Sequence, residues 1–278
     1  MSFDLYLRGD HLALDALLRH LDTYPQFQRQ DLHNEDFGYS FLNPATGVYW
    51  YLRVDDAADS GPGPVYISLN YNRPTFFALE TLPLVESLCK HFQLLVEDPQ
   101  EDVVGPASSN DLIKSWRIHN ERAVKALEAR GMALNYMPER KANDWWEYAR
   151  VREQIAADAG DTLFVPEVFI IKRPSEEPFR MIVWSKGSRQ LLPPADLVWI
   201  ERSDSTYGKA DQGFVSFGRF FDLVAPYTSE YRIGTQSYRL LDQGKHPEVI
   251  SLTRELELIP PTNHEQVGPD GFHDVVLN

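Results

Sequence analysis

The sequence predicts an α+β protein, a mixed or antiparallel sheet backed by helices, followed by a helical pair and a smaller strand-rich part. Three observations carry this. Short runs alternate apolar and polar side chains, as half-buried strands do. Longer stretches repeat leucine and aromatic residues at helical spacing. Between them stand Asn, Pro, Gly and Asp clusters with the chemistry of turns. The 278 residues, 43% of them hydrophobic and 12% aromatic, suffice for a substantial core. The expected divisions are residues 1–105, an α+β part, residues 106–160, the helical pair, and residues 161–278, a second α+β part with an irregular polar tail.

Taken in order, Ser2 to Leu7 sets Phe3, Leu5 and Leu7 against Asp4 and Tyr6, a strand pattern. Asp10 fits an N-cap for a helix carrying Leu12, Leu14, Leu17, Leu18 and Leu21. Phe37–Leu42 and Val48–Val54 flank NPATG and read as a hairpin. The Pro-containing excursion DDAADSGPGP is a loop before a strand over Val65–Tyr71. In NYNRPTFF, Pro74 restricts Arg73 to extended backbone and suits the first turn of a helix, with Asn72 as its cap. Leu82–His91 is amphipathic, and Phe92–Val96 is a further strand ending in Glu97 and Asp98. Strand, helix, hairpin, strand, helix, strand is an order related to a ferredoxin-like arrangement with an extra strand.

QEDVVGPASS reads as a connection. Ser109 or Asn110 then caps a helix through Trp116 and Leu127 that Gly131 ends, and a second helix runs from Pro138 to Ala159. Of the adjacent Trp145 and Trp146, one is expected in the core and the other nearer the surface, because consecutive helical residues point apart. Leu163–Lys172 and Phe179–Trp184 form a hairpin, Leu197–Glu201 is another strand, and Ser216 or Phe217 starts a helix.

The formal net charge of -14 argues against unaided nucleic-acid binding, which needs clustered Lys and Arg, and disfavours anionic membranes. It attracts a basic protein partner. A single cysteine, Cys89, rules out an internal disulfide. With Asp4, Arg8 and Asp10 in place of an apolar leader core, and no long uncharged apolar run, a cytoplasmic chain is expected.

Searches for chemistry mostly fail for physical reasons. No glycine-rich phosphate loop is present. His264-Glu265 opens like a zinc-protease helix, yet Gly268 stands where the second His must be. His264, Asp270, His273 and Asp274 would suit a metal, but nothing in their spacing makes them converge, so no metal and no cofactor is expected. Cys89 and His91 diverge on a helix and Cys89 reads as core. Asp161, Glu167 and Lys172 lack the spacing that would place carboxylate and lysine on one strand face.

The pieces SFDLYL, NPATGVYWYLRV, SLNYNRPTFFALE, LLVEDPQ, FVPEVFIIKR and PPADLVWIER together resemble a bacterial family of small cytoplasmic proteins with no established activity. The resemblance implies no catalytic residues, and by analogy an accessory, defence or toxin-immunity role. The leading expectation is a non-enzymatic factor that binds a protein and neutralises it by occlusion. Its contact residues are Asp55, Asp56, Asp59, Glu97, Asp98, Glu101 and Asp102. The alternative is an enzyme or small-ligand binder with a polar cleft at Asn70, Tyr71, Asn72 and Arg73. There Arg73 would fork onto Glu80, onto Asp98 or onto an anionic ligand.

Overall fold

A computed structural model describes residues 1–9, 12–31, 37–54, 65–174, 176–202, 211–261 and 263–276. Two compact units emerge, one of residues 1–139 with 269–278, the other of residues 140–268. Both are α+β.

Unit 1 holds β1 (Ser2–Arg8), α1 (Leu14–Leu21), β2 (Phe27–Asp31), β3 (Phe37–Leu42), β4 (Tyr49–Val54), β5 (Val65–Asn70), α2 (Phe76–Phe92), β6 (Leu95–Asp98), β7 (Val103–Pro106) and α3 (Ser109–Ala129). Its seven strands form one sheet in the order β2-β3-β4-β5-β1-β6-β7, and every neighbouring pair is antiparallel. The period of two decides what each face does. Phe3, Leu5, Leu7, Trp50, Leu52, Val65, Ile67, Leu69 and Val96 are buried on one face. Toward it turn the apolar sides of α1 (Leu17, Leu21) and α2 (Phe76, Leu82, Val85, Leu88). The Tyr39 hydroxyl of that face donates to Asp22 at the end of α1 (2.8 Å), and His20 of α1 stacks on His91 of α2.

Several local expectations are corrected. QEDVVGPASS is not a mere connection, for Val103–Pro106 is the edge strand β7. The strand near residue 92 starts at Leu95, because α2 runs to Phe92 and Gln93 takes the left-handed turn (φ 55°). α3 is capped one residue earlier than expected, by Ser108, whose hydroxyl accepts the Asp111 N–H. α1 starts at Leu14 with Ala13 at its cap position, while Asp10 lies outside the described residues.

Unit 2 contains α4 (Glu139–Ala159) from Arg140 onward, β8 (Phe169–Lys172), β9 (Phe179–Val183), β10 (Arg189–Leu192), β11 (Leu197–Arg202), β12 (Asp211–Ser216), α5 (Phe217–Val224), β13 (Thr228–Ile233), β14 (Gln236–Asp242), α6 (Glu248–Leu252) and β15 (Glu265–Gln266). The strands make a mixed sheet, β12-β11-β9-β8-β15, and a small one, β10-β14-β13. Pro166 supplies no N–H to a ladder, and β8 accordingly begins only at Phe169. Both Trp145 and Trp146 are buried, against the expected split. Trp145 finds a hydrogen-bond acceptor at Val168 O (2.8 Å), and Arg150, one turn on, lies over the Trp146 ring (4.7 Å), so each side of the helix has its own cover. Arg180 is a buried charge of this unit, gripped by Asp196 and Asp144.

Candidate functional site

The second face of the unit 1 sheet carries no helix among the described residues. Strand alternation places on it Gln28 and Gln30, Ser40 and Leu42, Tyr51 and Arg53, Tyr66 and Ser68, Asp4, Tyr6 and Arg8, Leu95 and Glu97, and Val104. The register lines up Arg53, Tyr66, Tyr6, Glu97 and Val104 across five adjacent strands. At about 4.8 Å per strand this row spans about 19 Å. Tyr51 is 47% exposed, and Leu42 and Leu95 also stand out into solvent.

The row is ordered by its own contacts. The Tyr6 and Tyr66 rings meet at 5.4 Å, and the Arg53 guanidinium lies over Tyr66 at 5.7 Å. Tyr66 Oη (2.7 Å) and Ser68 Oγ (2.9 Å) both donate to Asp4 Oδ1. Burial and the hydrogen bond to Asp4 push the Tyr66 phenol above its ordinary pKa, so it stays a neutral donor. Arg8 Nε donates to Glu97 (2.6 Å), which fixes the cation beside the aromatic row. Carboxylates outnumber basic side chains two to one in unit 1, whereas the two nearly balance in unit 2.

The expected contact carboxylates are distributed unevenly. Asp55, Asp56 and Asp59 lie outside the described residues. Glu97 is on the open face, paired with Arg8. Asp98 is its opposite, buried on the helix side, where it accepts Ser115 Oγ (2.7 Å) and the Gln100 N–H (2.9 Å). Glu101 meets His119 Nε2 at 2.9 Å, and Asp102 is exposed in the left-handed position of the β6–β7 turn (φ 54°).

The stretch Asn70-Tyr71-Asn72-Arg73 is a junction held from α3. Asn120, itself buried, accepts the Asn72 N–H (2.7 Å) and donates to Arg73 O (3.0 Å). Asn72 has φ 58° and does not cap α2. Thr75 occupies the cap position, and its N–H and hydroxyl donate to Asp274 (2.8 and 3.0 Å). Neither Glu80 nor Asp98 receives Arg73. Its Nη2 donates to Tyr49 Oη (2.7 Å) and its Nη1 to Asn72 O (2.9 Å), because Glu80 is taken by Asn43 and Thr46 and Asp98 by Ser115. A cavity of about 230 Å³ opens here between Met1, Asn70, Tyr71, Asn72, Arg73 and Leu127. Tyr71 Oη, Asn72 Oδ1 and Arg73 Nε are buried around it without hydrogen-bond partners, and burial raises the Tyr71 phenol's pKa.

No family model, curated protein or solved structure matches the chain.

The described residues contain no group of three His, Cys, Asp or Glu that could hold a metal, and Asp274 of the tail quartet is spent on Thr75. Cys89 is buried and its thiol pushed up to about 12 by that burial, which disfavours the nucleophilic thiolate. Lys172 pairs with Glu265 (2.9 Å) at the edge of the unit 2 sheet. A groove of about 430 Å³ that the sequence did not suggest lies there, lined by Phe169, Met181, Val183, Trp199, His264 and Gln266. Phe169 and Ile171 in FIIK, and Met181 and Val183 in FRMIV, recur at a spacing of two on this one face, which was the available signal. No helix of the described residues is long and apolar enough to cross a membrane.

Proposed function

We propose that the chain is a non-enzymatic protein-binding factor and that it engages its partner with the open face of the unit 1 sheet. The observation that supports this is the row Arg53–Tyr66–Tyr6 beside exposed Tyr51, Leu42 and Leu95. A solvated sheet face of no further use alternates to small polar and charged side chains. Tyrosine and arginine are the residue types enriched where proteins meet, since each offers large contact area with a polar tip. The acidic excess of unit 1 favours a basic partner and quickens its approach. Binding of this kind acts by occlusion, as an accessory or immunity factor in the cytoplasm would.

The test compares capture from host lysate by the wild-type chain, by a Tyr6→Ala/Tyr51→Ala/Arg53→Ala variant, and by Arg232→Ala on unit 2. A stoichiometric protein held by the first and third and lost by the second supports the reading. Equal capture by all three removes it.

The three unpartnered polar atoms around the Arg73 cavity favour a second reading, a small polar ligand at that place. Arg73→Ala with unchanged stability and loss of a bound metabolite, identified by mass spectrometry of the purified protein, would favour it over the first.

A further inference from the structure

The geometry points to β7 as an acceptor for an extended basic segment of the partner, which adds to the sheet as an eighth strand. This deepens the protein-binding reading above and rests on it. β7 is the terminal strand, bonded only to β6, and among the described residues no strand lies beyond it. In an antiparallel ladder the backbone N–H and C=O groups alternate between the neighbour and the open side, so part of Val103–Pro106 presents unpaired donors and acceptors outward. Natural edges are usually guarded by lysine, by inward charges or by cover. This one carries Val103 at 55% and Val104 at 52% exposure, with no lysine and with Pro106 only at its end.

The second observation is a cavity of about 180 Å³ between β7 and the first turns of α3. Its wall is mostly apolar, with Val96, Val103 and Leu112, and holds the carboxylates Asp98, Glu101 and Asp111 among its lining, a mix that suits the apolar stem and charged tip of a long basic side chain. Drug-sized ligands take roughly 300–1,000 Å³. This volume suits one long side chain instead. An added strand would place alternate side chains on this side, directly over the cavity, and the others beside Val104 on the open face. The lining has three carboxylates and no cation. Glu101 and Asp111 are at the mouth, exposed, with His119 against Glu101, and Asp98 is deeper with Ser115. Lysine or arginine is the side chain this charge selects. Backbone pairing would supply affinity and the cavity would supply choice. Gly105 adds no side chain between cavity and edge, and a Cβ there would meet nothing within 4 Å, so the approach is clear.

The probe is a ten-residue peptide alternating valine with lysine, titrated against the intact chain. Two companions complete it, one N-methylated on the ladder-facing amides and one with norleucine for lysine. The expected result is saturable binding with slowed exchange of the Val103–Gly105 amides. N-methylation should weaken it about a hundredfold, as lost ladder bonds require. Norleucine, or Glu101→Gln/Asp111→Asn in the protein, should weaken it about tenfold. Equal binding of the N-methylated peptide means charge attraction alone and overturns strand addition. Indifference to norleucine overturns the basic side chain. If no peptide binds while partner capture still depends on Tyr6, Tyr51 and Arg53, the edge proposal fails and the sheet-face reading stands.

Discussion

Asp274 offers a prediction whose sign and size both follow from its surroundings. Its carboxylate is buried, and burial raises its pKa from 3.8 to about 6 against the lowering effect of the Thr75 hydrogen bonds, with Glu139 adding to the rise. A raised carboxylate pKa means that the folded state holds the proton more tightly than the unfolded chain. Its contribution is therefore fully present below about pH 4 and is lost as pH rises through 6. A rise from 3.8 to about 6 corresponds to about 3 kcal/mol. The neighbouring His273 works the other way. Burial lowers its pKa below 6.5, with Glu128 in partial opposition, so its contribution is present above pH 6.5 and is lost on acidification. In the wild type the two partly cancel. Asp274→Asn removes the acid-stabilised half, and the variant should lose about 2–3 kcal/mol relative to wild type between pH 7 and pH 4. Denaturation at pH 4, 5, 6 and 7, followed by hydrogen exchange of unit 1 peptides, measures that difference for this unit alone. A constant gap between variant and wild type across the range would refute the reasoning, since Asp274 would then titrate alike folded and unfolded.

Three further outcomes follow from single residues. Asn120→Ala leaves the Asn72 N–H and the Arg73 carbonyl without their partner and should destabilise unit 1 by about 2–4 kcal/mol in urea titrations; a loss under about 0.5 kcal/mol would mean water replaces both bonds. In unit 2, burial pushes the Asp196 carboxyl up, but hydrogen bonds from Arg180 and Lys141 outweigh it and hold it low. Arg180→Met should cost about 3–5 kcal/mol at neutral pH and recover part of that as Asp196 is protonated, read from denaturation midpoints against pH. With its thiol pushed up to about 12, Cys89 should react with iodoacetamide at pH 8 about a thousandfold more slowly than a free thiol; a rate near the free value would place it in reach of solvent.

How much of this was legible beforehand depends on where the stabilising partner sits. β1, β3, β4 and β5 bury alternate large apolar residues, and that period is visible in SFDLYL, YWYLRV and VYISLN without any structure. β2 and β7 are edge strands, FQRQD with one apolar residue and VVGP only four residues long, and each is held by a single neighbour. β13 and β14 were hidden for a different reason. Their alternation is polar, although the Gly234-Thr235 turn between them, with φ 55° at Gly234, is a hairpin signal that the sequence does contain. Within the candidate site, grouping Glu97 with Asp98 as one acidic surface overlooked the same period of two that fixed the strands. Consecutive strand residues face opposite ways, so Asp98 follows Val96 inward. The open face could not be read at all from one strand. It exists because the register brings Arg53, Tyr66 and Tyr6 together from three separate segments. Asp274 capping α2 from 199 residues away is the same kind of fact, a tertiary partner with no local trace.

Hydroxyl-radical footprinting of the tyrosines, with the captured partner present and absent, tests the central claim most directly. Tyr51 is the reporter because it is exposed and lies on the open face, and Tyr148, buried in unit 2, is the internal reference. Binding through the sheet face predicts that oxidation of Tyr51 falls several-fold in the complex while Tyr148 does not change. Unchanged oxidation of Tyr51, with protection appearing on unit 2 instead, would contradict the account.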